Sequence, residues 1–161
     1  MSDTYYTGSI PTSPFLLIHF QSDILVNRSL DAVTTFFDDP QNLVKWDKSV
    51  ARIEATSSGE TSVGFTFDTF APNGQRLSYR ITAHDPGRGS TIELMPSKIF
   101  QRAIWVMRYD QVSSGTRITC EVDFTLRPHF FFLLLPLVLT QRKTLARDLA
   151  SLKRSIEANA Y

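Results

Sequence analysis

The sequence predicts an α+β fold in which a curved antiparallel sheet of about six or seven strands wraps around a long C-terminal α-helix, with two short helices after the first strand. Between residues 49 and 126, apolar and polar side chains alternate with a period of two, and the strings SSGE, PNGQ, DPGRGS and SSG interrupt the alternation. This pattern is typical of antiparallel strands with one buried face. The segment before it shows short helical patterns, and the segment after it shows one long amphipathic helix. A curved sheet that surrounds this helix would bury every apolar face.

The composition fits one globular domain with balanced charge. The chain has 161 residues, 42% of them hydrophobic, which is enough for one domain with a substantial core. Because 17 Lys and Arg stand against 16 Asp and Glu, the formal charge is +1, and we expect no nucleic-acid partner. Cys120 is the single cysteine and the first residues lack a secretory signal, so we expect a cytoplasmic location. We predict a flexible segment at residues 1–14 and a single domain over residues 15–161.

The first strand and the two short helices have distinct local patterns. In FLLIHFQSDILV the residues of one parity are mainly apolar, which predicts a strand whose inward set is Ile18, Phe20, Ser22, Ile24 and Val26. Ser29 is a suitable N-cap for a helix over RSLDAVTTFFDDP, with Asp31 in its first turn and Pro40 after its end. The string NLVKWD predicts the second short helix.

Alternation in the later strands predicts which side chains face the interior. The inward set comprises Val63, Phe65 and Phe67; Leu77, Tyr79, Ile81 and Ala83; Ala103, Trp105, Met107 and Tyr109; and Ile118, Cys120, Val122 and Phe124. The charged residues have the opposite parity. We therefore expect cross-strand pairs on the exposed face for Asp68, Arg80, Arg108, Glu121 and Asp123.

The last segment predicts a long helix preceded by an apolar run. Its apolar stripe consists of Leu145, Leu149, Leu152 and Ile156. Residues 130–139 are ten apolar residues in a row, which is too short for a membrane span of about 18 to 20 residues and contains Pro136. We expect this run to be ordinary core together with the start of the long helix.

Two alternatives for residues 130–139 remain open. One is a weak membrane-surface contact, in which residues 130–132 enter lipid and anionic headgroups are met by Arg142, Lys143 and Arg147. The other is a homodimer contact.

The order of these elements and five strings resemble the SRPBCC or START-like helix-grip superfamily, and in particular its polyketide cyclase/dehydrase-like (Bet v 1-like) branch. The strings are ILVNRSLDAVTTFFDDPQNLVKWDKSVARIE, SVGFTF, YRITAHDPGRG, SSGTRITCEVDF and LARDLASLKRSIEA. They occur in the same order over about 140 residues. The resemblance implies a helix-grip fold with an internal cavity between sheet and C-terminal helix. It also implies that residues 130–139 pack over the mouth of that cavity.

Strand parity and the resemblance together predict which residues line a ligand-binding cavity. Parity favours as lining residues Ser22, Phe65, Phe67, Thr69, Tyr79, Ile81, Trp105, Met107, Tyr109, Cys120 and Phe124. Trp46 matches the tryptophan that the family carries near its cavity. The set is aromatic with few hydroxyls, which suits a hydrophobic, partly oxygenated small molecule. Each aromatic taken singly can equally be a core residue, and Cys120 is expected to be a small buried filler.

The sequence offers few groups for chemistry. His19, His84 and His129 lack metal-ligand spacing, so no metal and no cofactor is expected. Catalytic candidates are the hydroxyls of Tyr79 and Tyr109. A β-bulge would add a charged residue or an imidazole by turning inward Asp68, Arg80 or His84.

Two functions fit these residues. The first is a polyketide-type cyclase or dehydratase of secondary metabolism, in which the cavity preorganises a reactive chain and a phenol or an inward ionisable group moves a proton. The second is a non-catalytic carrier or sensor for a lipid, sterol or quinone. The side on which Arg80 and His84 lie distinguishes the two, since an inward ionisable group favours catalysis.

Overall fold

A computed structural model describes residues 17–158 of the chain. The predicted flexible segment at residues 1–14 lies outside these described residues. In chain order the elements are β1 (Ile18–Val26), α1 (Leu30–Asp38), a 3-10 turn (Pro40–Asn42), α2 (Leu43–Trp46), β2 (Arg52–Ala55), β3 (Thr66–Phe70), β4 (Arg76–Asp85), β5 (Gly89–Leu94), β6 (Phe100–Val112), β7 (Gly115–Leu126), a second 3-10 turn (Pro128–Leu133) and α3 (Leu134–Ala158).

The seven strands form one antiparallel sheet, and the predicted fold class is confirmed. The strand order is β1-β7-β6-β5-β4-β3-β2, so β1 and β2 are its edges. The sheet curves, and α3 packs against β1 while α1 and α2 lie between α3 and the rest of the sheet. The cavity described below lies between these layers.

Capping residues set the helix bounds after β1. The Ser29 hydroxyl accepts a hydrogen bond from the Ala32 amide at 3.3 Å, as the sequence predicts for an N-cap. α1 ends at Asp38 because Asp39 is extended, and the Asp39 carboxylate accepts from the Gln41 amide at 2.9 Å to start the 3-10 turn. This compact connection brings α2 and Trp46 beside the sheet.

The main hydrophobic core lies where β1, β6 and β7 meet α1 and α3. Its most deeply buried members include Phe36, Ile118, Leu126, Leu152 and Ile156. Burying side chains of this size contributes about 1.5–3 kcal/mol each. The amphipathic stripe predicted for the long helix is therefore the part of α3 that anchors it to the sheet.

A β-bulge in β4 changes the predicted parity. The register between β4 and β5 shifts between Ile81 and Ala83, so that Thr82 has no partner and His84 pairs with Ser90. Ile81 stays buried, whereas Ala83, predicted to face inward, is exposed. Because side chains alternate along a strand, one extra residue turns the following ones to the other face. His84, which simple alternation places on the wet face, thus lies on the inner face.

The expectation that residues 130–139 are ordinary core is wrong for about half of them. Leu133, Leu134 and Leu137 pack against the main core. Phe130 is half-buried, and the remaining six are solvent-exposed, at 71% for Phe132, 67% for Leu135 and 65% for Leu139. The 3-10 turn and first turns of α3 have only one side against the protein, so the opposite side of an all-apolar sequence meets solvent. Pro136 is accommodated as the third residue of α3.

None of the helices within residues 17–158 is long and apolar enough to cross a membrane.

Candidate functional site

An internal cavity of about 420 Å³ lies between the inner face of the sheet and the three helices. This volume is in the range of sites for drug-sized small molecules. Sheet residues of its wall are mainly aromatic and aliphatic, including Phe67, Tyr79, Trp105, Met107, Val122 and Phe124. Trp46 of α2, and Thr144 and Leu145 of α3, close the other side. The wall is therefore mainly apolar, and its lining residues also include the charged side chains of Asp38, Asp47, Asp85, Arg147 and Asp148.

Most of the ligand-binding residues predicted from the sequence lie in this wall. The structure brings together Trp46, Phe67, Thr69, Tyr79, Ile81, Trp105, Met107, Tyr109, Cys120 and Phe124. Ser22 is not among the wall residues, since α3 packs against β1 and covers it. Phe65 is also outside the wall, because it precedes β3 and packs with Ile53 in a second, smaller cluster. Parity alone correctly assigned the face but did not show which part of that face is covered.

Two of the catalytic candidates, Asp68 and Arg80, lie away from the cavity. The Asp68 carboxylate accepts from the Ser78 hydroxyl at 2.6 Å and lies 3.6 Å from the Arg76 guanidinium. Arg80 is exposed and pairs across the sheet with Thr66 and Glu93. The bulge in β4 begins after Arg80 and leaves both residues on the outer face. Asp68 makes the cross-strand contact that the sequence also allowed, although it is buried and not exposed, and Arg80 forms no ion pair within residues 17–158.

His84, Ser90 and Tyr109 form a polar corner in the cavity wall. His84 on β4 faces Ser90 on β5, and Ser90 pairs with Met107 on β6, two residues before Tyr109. Among residues 17–158, the His84 Nδ1 and the Tyr109 hydroxyl are the buried side-chain atoms that make no hydrogen bond. Both residues line the cavity. Buried polar atoms almost always have a partner, so these two are placed to receive one from a ligand.

Burial fixes the protonation of the Tyr109 phenol. Its ring is 6% exposed and stacks on Phe37 with centroids 4.9 Å apart. Desolvation raises its pKa well above the usual value of 10, and the nearby Asp38 charge raises it further, while the Ser90 side chain, close to the hydroxyl but not in a well-formed hydrogen bond with it, offsets part of the increase. At neutral pH the phenol is therefore a hydrogen-bond donor and not a base.

Tyr79 offers a second neutral phenol farther along the wall. Its ring lies between Phe67, 5.4 Å away in a stacked arrangement, and the edge of Trp105, 5.7 Å away. Burial raises its pKa to about 12, a hydrogen bond with the Thr69 side chain lowers it, and the Asp47 charge raises it. Tyr79 thus also remains protonated at neutral pH and can orient an oxygen of a ligand.

Asp148 is a wall residue that the sequence reasoning missed. It lies on α3 beside Arg147, with the Arg147 Nε 3.6 Å from its carboxylate, and near Asp47. Desolvation and the Asp47 charge raise the pKa of Asp148, and Arg147 partly opposes this. A signal was present, because Asp148 lies three residues after Leu145 and four before Leu152. It is the acidic residue at the edge of the apolar stripe.

Cys120 is buried in the wall as a filler, in line with the sequence interpretation. Burial raises the pKa of its thiol to about 12. Residues 17–158 contain no cluster of three or more His, Cys, Asp or Glu side chains arranged to hold a metal ion.

The fold and the cavity define a helix-grip protein with a chamber suited to a hydrophobic small molecule. The chain belongs to the family described as polyketide cyclase/dehydrase and lipid transport, whose model matches residues 18–157. No curated protein matches this sequence significantly.

Solved structures with low sequence identity share the fold. The di-domain ARO/CYC StfQ from the steffimycin biosynthetic pathway is 15% identical with a TM-score of 0.71, covering 89% of this chain and 50% of StfQ, so this chain spans half of that protein. Norcoclaurine synthase from Thalictrum flavum, in complex with dopamine and hydroxybenzaldehyde, is 13% identical with a TM-score of 0.66, covering 89% and 86%. Ara h 8.0201 is 12% identical with a TM-score of 0.65, covering 89% and 100%.

Proposed function

We propose that this protein binds a hydrophobic, partly oxygenated small molecule in its cavity and acts on it as a polyketide-type cyclase or dehydratase. The family description and the apolar, aromatic wall support the ligand class. The di-domain ARO/CYC protein StfQ and norcoclaurine synthase, which was solved with two aromatic small molecules, support a catalytic role for this fold.

The observation that carries the catalytic proposal is the inward position of His84 in the same cavity wall as Tyr109, across strand β5 and its Ser90. An imidazole in the wall of an apolar chamber, with one ring nitrogen unpartnered, is a suitable proton-transfer group. Tyr109 supplies a neutral phenol at the same corner. The pair combines a group that can accept a proton with a group that can stabilise a developing oxyanion.

In the proposed reaction, His84 removes a proton from a carbon next to a ligand carbonyl. The Tyr109 phenol donates a hydrogen bond to the carbonyl oxygen as it becomes an enolate. In a cyclisation, the enolate carbon forms a bond to a second carbonyl of the same molecule, and the new alkoxide takes the proton from His84. In a dehydration, the enolate expels the hydroxyl on the next carbon, which leaves as water with that proton. The cavity wall holds the chain in a folded conformation, which contributes to either reaction.

A carrier of a lipid, sterol or quinone is the second candidate. The wall is dominated by apolar side chains, and the Tyr79 and Tyr109 hydroxyls could simply orient a bound ligand. This function needs no proton transfer and leaves His84 without a role in turnover.

Mass spectrometry of the compound that the purified protein retains from a cell extract tests both candidates. We expect an oxygenated, ring-forming compound that the protein converts, and we expect His84→Ala to retain the compound while converting it at least about 100-fold more slowly. His19→Ala is a matched control, because His19 is an exposed histidine of β1 that pairs with Asp123 at 2.6 Å. An unaltered phospholipid or quinone, with identical behaviour of both variants, would refute the catalytic proposal.

A further inference from the structure

The start of α3 and the turn before it carry an exposed apolar patch. The patch consists of Phe131, Phe132, Leu135, Val138 and Leu139. These residues are consecutive or one helical turn apart, so their side chains form one continuous surface and not scattered contacts. Contiguous exposed apolar patches on a folded domain mark a surface that binds something.

The charged residues in the segment that carries this patch all have one sign. Residues 124–147 contain no Asp or Glu, and they include Arg127, Arg142, Lys143 and Arg147. Arg127 donates from Nε to the Ser97 carbonyl at 2.8 Å, which brings the loop at residues 95–99 beside the patch. That loop adds Lys98 and no acidic residue. The surface is therefore apolar at its centre and cationic at its edge.

The helix geometry puts cations and apolar side chains on the same face. At 100° per residue, Leu135, Leu139 and Arg142 lie within a sector of about 60°. Lys143 follows Leu139 by one turn, and both basic residues are exposed and form no ion pair within residues 17–158. Apolar side chains would thus enter a lipid layer first, and the cations would follow at the depth of the headgroups.

We propose that this patch docks the protein on anionic lipid bilayers. Docking would be peripheral, since no helix within the described chain can span a bilayer. A second copy of the chain fits the patch less well. A symmetric pair would bring Arg142 and Lys143 of both copies together around an interface to which residues 124–147 contribute no acidic side chain.

Docking in this orientation would place the cavity close to the lipid. Gln141, Thr144 and Leu145 line the cavity, and Thr144 follows Leu139 by about 8 Å along the helix axis. A hydrophobic ligand dissolved in the bilayer would then have a short path to the chamber. This inference concerns a surface and stands whether the cavity catalyses a reaction or carries its ligand.

Flotation of the full chain with lipid vesicles tests the proposal. The probes are vesicles of phosphatidylcholine alone and of an equal mixture of phosphatidylcholine and phosphatidylglycerol. We expect flotation with the anionic vesicles that decreases as salt is added, because salt screens the cations. The double variant Arg142→Gln, Lys143→Gln should lower the partition coefficient about 30-fold, and Phe132→Asp with Leu135→Asp about 100-fold or more.

Val63→Asp is the matched control. Val63, which the alternation wrongly predicted to face inward, lies in the turn before β3 and is 62% exposed, so this variant places the same acid on an exposed apolar position away from the patch. It should float like the unmodified chain, and circular dichroism should show that every variant is folded. The proposal fails if the unmodified chain does not float with anionic vesicles, or if Val63→Asp loses flotation as fully as Phe132→Asp with Leu135→Asp. It also fails if the chain is a dimer in solution and Phe132→Asp makes it a monomer, which would assign the patch to a second copy.

Discussion

Replacing Tyr109 by Phe should make the ligand-free protein more stable. The substitution removes only the hydroxyl and keeps the ring stacked on Phe37 at 4.9 Å. A buried tyrosine hydroxyl usually has a hydrogen-bond partner, and its loss then destabilises the protein. The Tyr109 hydroxyl has none within the described residues. Removing this hydroxyl should therefore stabilise the protein.

The size of the effect follows from the cost of an unsatisfied buried group. That cost is about 1–3 kcal/mol, so we expect the free energy of unfolding to increase by about 1 kcal/mol. For a domain of this size, such a change raises Tm by about 2–4 °C. Tyr79→Phe is the comparison, since the Tyr79 hydroxyl interacts with the Thr69 side chain and is not among the unpartnered buried atoms of residues 17–158. Its loss should lower the free energy of unfolding by about 0.5–1.5 kcal/mol.

Thermal unfolding of both variants, monitored by circular dichroism on protein freed of ligand, shows whether each substitution raises or lowers Tm. With an oxygenated ligand bound, the Tm of Tyr109→Phe should instead lie below that of the unmodified protein, because the variant lacks the donor that the ligand uses. A clear decrease in the Tm of ligand-free Tyr109→Phe would refute the reasoning. It would show that the hydroxyl already has a partner, with Ser90 as the nearest candidate, and would remove the argument for the polar corner.

Three further predictions concern other parts of the structure. Because the pKa of Asp148 is raised in the folded state, the folded protein binds the Asp148 proton more tightly than the unfolded chain does. The free energy of unfolding should therefore fall as pH rises from the unfolded-state pKa of about 4 through the folded-state pKa. In a pH series of thermal melts, Asp148→Asn should abolish this fall and raise Tm at pH 7 but not at pH 3. Burial raises the thiol pKa of Cys120 from 9.0 to about 12, so its thiolate fraction at pH 8 is about 1,000-fold smaller than that of a free thiol. Iodoacetamide should therefore label Cys120 only after unfolding, and labelling of the folded chain would contradict its burial. Gly89→Ala should lower the free energy of unfolding by more than about 2 kcal/mol, since its Cβ would lie 2.0 Å from the Met107 carbonyl oxygen. Gly74→Ala, which has open space around its Cβ, should lower it by about 1 kcal/mol, and equal decreases in denaturant titrations would contradict the close approach at Gly89.

Period-two alternation was sufficient to predict the sheet and most of its inner face. Exposing apolar side chains to water costs free energy, so the apolar members of each strand pattern face the interior. The inward orientation of Tyr79, Trp105 and Phe124 could therefore be predicted from the sequence. His84 did not follow, because a bulge of one residue reverses the parity beyond it. No local string in YRITAHDPGRG distinguishes a bulged strand from a regular one.

The helices limited the prediction for a different reason. Hydrophobic periodicity shows which side of a helix is buried but not which neighbour covers each part of it. Ser22 and Asp148 illustrate both consequences: the first is covered by α3 and the second lines the cavity. An all-apolar run has no periodicity at all, so the exposed side of residues 130–139 could not be predicted from its composition.

The two unpartnered atoms of the polar corner constrain the ligand. Together they cost about 2–6 kcal/mol, which is a large fraction of the 5–15 kcal/mol that stabilises a typical domain. A ligand that accepts a hydrogen bond from Tyr109 and meets the His84 nitrogen offsets this cost on binding. A plain hydrocarbon chain fills the apolar wall equally well but leaves both atoms unsatisfied, so it gains nothing from them. Under the proposed function, we therefore expect the ligand to present at least one oxygen or nitrogen at the His84 end of the chamber, and a preference for hydrocarbon chains over oxygenated molecules would mean that this corner has no role in recognition.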